Sequence, residues 1–372
     1  MDILWRSLTA FMIVAILVPA SLPLTQRLGL HDLPGGRKQH DAPTSYVGGL
    51  FILLAVAASF LLFDRQSSPV ATTFLVCSFL LMLVGVADDR FGLSWKTRIV
   101  AQVTVTLIMI SVAGVRAENL GDVFGLADLR LGWLAIPFTI FIVVGVINAL
   151  NMIDGSDGLA GGQALVSLVL LSAFAFYAGN IDMVARLLTV AAAVAGFLVW
   201  NLRFPWQPRA RIFLGNTGSM VLGFVIAWAA VRLTQNYQHP VSPVLGPWTI
   251  AIPLIDCVAL MFRRIRQGRS PFQADRNHLH HLLLDAGFTP ISIAWGMMTV
   301  SLVLGLAAGV AVQQGVYRPI LVVVFLLLLI GYYRLTANRE RVVELFRSLH
   351  WKSRRKTPAP TPAQPYEELI EP

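Results

Sequence analysis

Two aspartates, Asp154 and Asp157, follow two asparagines, Asn148 and Asn151, in the stretch NALNMIDGSDGLAGG. An apolar run leads into it, so the carboxylates stand where charge is expensive and needs a partner, a metal ion or water. Asn148, Asn151 and Asp154 are spaced by three and line one stripe of a helix. Amides that deep in an apolar segment are poor solvent contacts and suit ligands or neighbouring backbone. Two carboxylates, two amides and surrounding glycines suit a place where a cation meets phosphate. A polar turn between helices, with glycine for tight geometry, is the simpler alternative.

Other stretches carry similar chemistry. Asp88 and Asp89 are adjacent at the end of an apolar run. Both ionise there only if a cation compensates, either a hard ion such as Mg²⁺ or a basic neighbour such as Arg90 or Lys96. Gly215, Asn216, Thr217, Gly218 and Ser219 open another apolar run. They offer free backbone N–H groups to an anion, or a close-packing face to a neighbouring helix. Asp256 is a carboxylate within an apolar segment, a functional site or a partner for Arg263 or Arg264. His278, His280 and His281 follow a run of arginines that includes Arg264. With two of these histidines adjacent and no cysteine nearby, a tetrahedral zinc site is disfavoured. Phosphate and sugar contacts, or structural hydrogen bonds, fit better.

The elements that position these residues are membrane helices. The 372-residue chain is 56% hydrophobic and only 13% charged, about half the charge of a soluble protein. Its apolar residues come in blocks of roughly 20, long enough to cross a bilayer, and helices are the form such runs take. The expected fold class is all-α, a polytopic integral membrane protein of about 11 spans: 8–24, 46–63, 70–87, 99–115, 131–153, 159–178, 183–201, 212–232, 243–262, 291–313 and 317–333. Residues 1–336 form the membrane domain. Residues 337–372, basic and then Pro-rich, are expected to be a disordered tail. The first span could mimic a signal peptide, but ten further spans need no separate one. Cys77 and Cys257 fall inside spans, as buried thiols do.

The net charge of +9 does not imply nucleic acid. Most basic residues fall in the odd-numbered loops and the tail, which places those in the cytoplasm and the N-terminus outside. Every stretch with chemical potential then lies on the cytoplasmic face. A transporter needs polar groups at mid-membrane; crowding at one mouth favours an enzyme with one soluble and one lipid substrate.

The segments RKQH with its following VGG, ADDRFGLSWKTR, NALNMIDGSDGLAGG, FLGNTGS and PLID…SPFQADRNHLHH occur in that order. Together they resemble the polyprenyl-phosphate N-acetylhexosamine-1-phosphate transferases over roughly residues 25–290, most nearly the WecA type. The MraY branch is similar in the aspartate motifs and differs in the last loop. The resemblance implies transfer of N-acetylglucosamine-1-phosphate from UDP-N-acetylglucosamine to undecaprenyl phosphate, with release of UMP. It implies Mg²⁺ as cofactor, replaceable by Mn²⁺, a bacterial inner-membrane location and membrane lipid as surroundings; a homodimer is compatible with it. Asp88 and Asp89 match paired aspartates tied to Mg²⁺ binding and to deprotonating the lipid phosphate, with Asp88 the expected base. Asp154 and Asp157 match catalytic aspartates beside the nucleotide, and Asn151 an amide of the same motif. His278, with His280 and His281, and Arg264 match residues tied to nucleotide-sugar phosphates; Asp32 matches a first-loop aspartate tied to activity. Lys96 and Asn148 join the expected substrate contacts. The expected metal set is Asp88, Asp89, Asp154 and position 216.

That last position departs from the family pattern, in which GDxGS supplies an aspartate. Asn216 keeps a carbonyl oxygen and loses the charge. Weaker metal binding and slower turnover follow, because Mg²⁺ prefers anionic oxygens. Two other functions stay open: the same reaction with another UDP-N-acetylhexosamine, and a transporter or lipid-binding protein without catalysis.

Overall fold

The computed structural model describes residues 2–27, 31–32, 44–64, 68–125, 128–273 and 275–354. The chain is a bundle of helices: α1 (Asp2–Arg27), α2 (Gly48–Phe63), α3 (Pro69–Phe91), α4 (Trp95–Ala113), α5 (Ala135–Ile153), α6 (Leu159–Tyr177), α7 (Ile181–Asn201), α8 (Gly215–Thr234), α9 (Gly246–Thr249), α10 (Ala251–Arg266), α11 (Leu279–Asp285), α12 (Pro290–Gln313), α13 (Arg318–Leu335) and α14 (Arg339–Arg354). The only sheet among the described residues is a two-residue hairpin, β1 (His31–Asp32) against β2 (Thr44–Ser45).

Nine of these helical stretches are long and apolar enough to cross a membrane, and ten if a bent pair counts as one span. The expected eleven required α2 as well, but α2 has only 16 residues, short of the roughly 20 that a bilayer needs. The bent pair joins Pro243–Thr249 to Ala251–Arg266 at 82°, where the sequence suggested one straight span. The tail also differs from expectation. It is helical over Arg339–Arg354, because Val342, Leu345, Phe346 and Leu349 repeat with helical spacing. Val342 is buried and Arg339 pairs with Asp285 of α11. Residues 355–372 lie outside the described residues.

α8 is the axis of the bundle. In its most apolar window 83% of residues are buried, against 6% for α13. Its neighbours α2, α3, α5 and α6 come close because small residues face them. A Cβ on Gly49 would overlap the Gly218 backbone, and one on Gly85 would overlap Thr217. Such small-residue contacts replace the hydrophobic drive that helices lack inside lipid.

Local signals fix the ends that matter. Ser68 caps α3 by accepting the Ala71 N–H, and Pro69 opens the helix. Gly92, at φ +65°, ends it in the left-handed region, and Ser94 caps α4 directly afterwards. This tight hairpin holds Asp88 opposite the start of α4. The strand pair is tied to the entry of α8: Phe213 donates its N–H to the Ser45 carbonyl at 2.7 Å. Gly48 and Gly49 donate theirs to the Phe213 and Leu214 carbonyls at 3.1 and 3.2 Å.

Candidate active site

The described aspartate, asparagine and histidine motifs meet at one end of the bundle; the RKQH stretch lies outside the described residues. Asp89 stands at the N-terminus of α8. Its Oδ1 accepts the Asn216 N–H at 2.8 Å, and its Oδ2 accepts the Thr217 N–H at 3.0 Å and the Thr217 hydroxyl at 2.8 Å. The free N–H groups and positive end of a helix dipole satisfy a carboxylate placed this way. Gly215 makes room for it. The residue sits at φ +74°, and a Cβ there would lie 2.7 Å from Asp89 Oδ2. The glycine-rich start of α8 therefore binds an anion, and that anion is the protein's own side chain.

Asp88 points to α4, where Arg98 donates from Nη1 to its Oδ2 at 3.2 Å. Asp157 is held by the segment after α7. Arg203 Nε donates to its Oδ2 at 2.7 Å and the Ala210 N–H at 3.2 Å. Asn201 braces the same turn, accepting the Gly158 N–H at 2.9 Å. Asp154 is different. It caps the end of α5, is half-buried, and accepts no hydrogen bond from any described residue. Burial, with Asp89 and Asp157 close by, pushes its carboxyl up to about 7.

Asn151 donates from Nδ2 to Asn216 Oδ1 and to the Ser219 hydroxyl, both at 2.8 Å. It thereby connects the end of α5 to the start of α8. Asn148 turns elsewhere: its Nδ2 donates to Gln102 Oε1 of α4 and to the Val144 carbonyl, both at 2.8 Å. Asn148 thus makes a helix–helix contact through its Nδ2, with Gln102 supplying a buried acceptor the motif could not reveal. Lys96 is exposed, with its Nζ 5.8 Å from the Trp95 ring centroid. Arg98, two residues on, is the base that reaches Asp88.

The segment after α10 closes the site. Arg264 is buried; its Nε donates to Asp275 Oδ2 at 2.8 Å and its Nη1 to the Pro271 carbonyl at 2.7 Å. Burial opposes ionisation of Asp275, yet the Arg264 guanidinium and the Asn277 N–H hold its carboxyl below the usual range. His278 lies between Asp256 and Arg264. His280 packs against the Asp154 turn, where a Cβ on Gly155 would overlap its ring. It is 1% exposed, and neither ring nitrogen has a partner among the described residues. Burial, then its neighbours His281 and His278, push its imidazole down to about 3, so it is neutral. Burial and His278 also lower His281. The backbone of Asp32 pairs with Thr44; its side chain lies outside the described residues.

The arrangement has parallels in known proteins. The model of glycosyl transferase family 4 matches residues 71–234, which span the aspartate motifs from α3 through α8. An undecaprenyl-phosphate α-N-acetylglucosaminyl 1-phosphate transferase of Yersinia pestis is 37% identical over 310 residues, covering 82% of this chain and 84% of that protein. The chain belongs to glycosyl transferase family 4. Proteins of the same name from Escherichia coli strain K12 and Haemophilus influenzae are 34% and 32% identical, covering 87% and 72% of this chain, and 89% and 75% of their own lengths.

In this glycosyl transferase the residues of the expected metal set make separate contacts. Among the described residues, no group of three or more His, Cys, Asp or Glu is arranged to hold a metal ion. Asp89 accepts three hydrogen bonds from α8, Asp88 is engaged by Arg98, and Asn216 Oδ1 accepts one hydrogen bond from Asn151. The residues that remain suit a hard cation bringing most of its own ligands. Asp154 offers an unpartnered carboxylate and Asn216 a carbonyl oxygen. Mg²⁺ is commonly held in this way, by one or two carboxylates with waters and substrate phosphates.

Proposed function

We propose that this chain transfers N-acetylglucosamine-1-phosphate from UDP-N-acetylglucosamine to undecaprenyl phosphate, releasing UMP. The observation that carries the reading is Asp154. It is a carboxylate without a hydrogen-bond donor among the described residues, crowded by Asp89 and Asp157, at the end where the described motifs meet. Nothing in the fold gains from such a group; a bound cation and a diphosphate would. The names of the relatives support the choice of sugar and lipid.

An oxygen of the lipid phosphate attacks the phosphorus bonded to the sugar. The bond from that phosphorus to the bridging oxygen breaks, and UMP leaves with that oxygen. The lipid phosphate is already largely ionised, so no strong base is required, and Asp88 stays paired with Arg98. Catalysis is then mostly positioning and charge neutralisation. Mg²⁺, held by Asp154 and the Asn216 carbonyl, would neutralise charge on the diphosphate. Arg264 retains two N–H groups for a phosphate beyond those directed at Asp275, Pro271 and His278. Neutral His280 can donate one hydrogen bond and accept another beside the Asp154 turn.

The distribution of basic residues supports an inner-membrane enzyme whose site faces the cytoplasm. The product would be the first lipid-linked intermediate of a cell-surface polysaccharide such as O-antigen. Purified protein mixed with UDP-N-acetylglucosamine, undecaprenyl phosphate and Mg²⁺ should release UMP, and EDTA should stop it. A panel of UDP-sugars separates this reading from transfer of another N-acetylhexosamine. Asn216 favours one rival, a protein that binds these lipids without chemistry. No UMP from the chain or its Asn216→Asp variant would decide for that rival.

A further inference from the structure

A buried polar chain lies behind Arg264, and part of it comes from a helix outside the motif-bearing region. Asp256 sits in α10, 2% exposed. Its Oδ2 accepts from His278 Nδ1 at 2.7 Å. Its Oδ1 accepts the Leu279 N–H at 3.1 Å and the hydroxyl of Tyr332, in the last turn of α13. On the other side of the His278 ring, Arg264 Nη2 lies 3.4 Å from Nε2. A guanidinium can only donate, so Nε2 must carry the lone pair. The proton of the neutral ring is then on Nδ1, facing a carboxylate that can only accept. The two contacts require the same tautomer.

We propose that Asp256 and Tyr332 are positioning residues for the transfer reaction: they hold His278 as the Nδ1–H tautomer, and its Nε2 fixes the direction of the Arg264 guanidinium. His278 belongs with them, since both its ring nitrogens are engaged by protein. This inference rests on the proposed function only in assigning Arg264 to the diphosphate. Tyr332 matters because α13 has little other anchorage. Leu321 is its only buried described residue. Its contacts with α10 concentrate at the same end, where Arg263 Nη2 donates to the Tyr333 carbonyl at 3.0 Å and the Thr336 hydroxyl at 2.8 Å. A helix facing lipid thus delivers one hydroxyl to a buried carboxylate.

In an Asp256→Asn variant the amide can turn its NH₂ toward His278. The ring then becomes an acceptor at Nδ1 and places Nε2–H against the guanidinium. Tyr332→Phe removes one donor and leaves the tautomer in place. The test uses the full chain with ¹⁵N-labelled histidine in detergent, the His278 signals being assigned by their loss in His278→Gln. Nδ1–H in the wild type and Nε2–H in Asp256→Asn are expected. A wild-type Nε2–H ring, a doubly protonated ring, or no change in Asp256→Asn overturns the proposal.

Kinetics supply the second arm. Asp256→Asn should lower kcat for UMP release roughly 100-fold and Tyr332→Phe roughly 5-fold, with KM for UDP-N-acetylglucosamine changed less. Combining either with His278→Gln should add almost nothing, as coupled residues behave. Full activity, a loss confined to KM, or losses that multiply would overturn the assignment. Absence of UMP from the wild type would refute the proposed function instead, and the ring spectrum would still decide this inference.

Discussion

The two ends of the helix bundle each use a side chain to close the backbone, with different neighbours beside it. Away from the motifs, Gln235 at the end of α8 meets the loop after α4. Its Oε1 accepts the Glu118 and Asn119 N–H groups, both at 3.0 Å, and its Nε2 donates to the Asn119 carbonyl at 2.9 Å. One amide side chain closes the loop. At the motif end, Asp89 does similar work for the start of α8, but beside it Asp154 and the ring nitrogens of His280 have no partner. Unpartnered buried atoms also occur elsewhere, on Arg6, Ser78 and Gln163 for example, but at the motif end a half-buried carboxylate is among the groups without a partner, where a ligand is expected. Occupancy of each oxygen, more than residue type, separates Asp89 from Asp154.

The sharpest way to break that comparison is Asp154→Asn. Losing a preorganised charge at the reacting centre should lower UMP release by about 10³-fold. Thermal stability should hold or rise, because the change removes a carboxylate repelled by two neighbours and breaks no hydrogen bond. A large loss of stability would mean that Asp154 builds the fold after all. Asn216→Asp should tighten Mg²⁺ binding and raise turnover, each by about 10-fold or more. Titration of activity against Mg²⁺ measures both, and an unaltered curve would remove position 216 from the metal site.

Asp89→Asn should behave as a structural change. The amide meets α8 N–H groups with a donor, at a cost of about 1–3 kcal/mol in stability, read by thermal unfolding in detergent. Gln235→Ala should cost a similar or smaller amount and leave the activity of the folded enzyme unchanged. A change in KM there would link the two ends.

The smallest effect is on pH. The Asp154 carboxyl is raised from 3.8 to about 7 in the folded chain. Between those values the native state holds more protons than the unfolded state, so its stability falls as pH rises through the interval. In EDTA the melting temperature should drop between pH 5 and pH 8, and Asp154→Asn should reduce that drop. A melting temperature that rises over the same interval in EDTA, by an amount Asp154→Asn reduces, would contradict the sign.

The membrane fold could be read from the chain because apolar blocks near 20 residues have few other uses. The motif end could be read because its polar residues interrupt those blocks. Partners across the bundle could not. Arg98 lies two residues from Lys96 with equal claim by sequence, and only the hairpin at Gly92 decides that Arg98 faces Asp88. Gln102 and Tyr332 belong to helices whose contacts no local pattern fixes. The break at Ile250 leaves no polar mark in the sequence. The spacing of Val342, Leu345, Phe346 and Leu349 did signal a helix, but the surrounding basic and proline-rich composition obscured it.

Tyr332 also sets a schedule. It follows Asp256 by 76 positions and leaves the ribosome after every other residue of the Arg264 network. A nascent chain halted before α13 would hold all four aspartates yet lack the hydroxyl that aims the guanidinium. Such a chain would aim the guanidinium less well and, like Tyr332→Phe, would use a nucleotide sugar several-fold more slowly until α13 has followed.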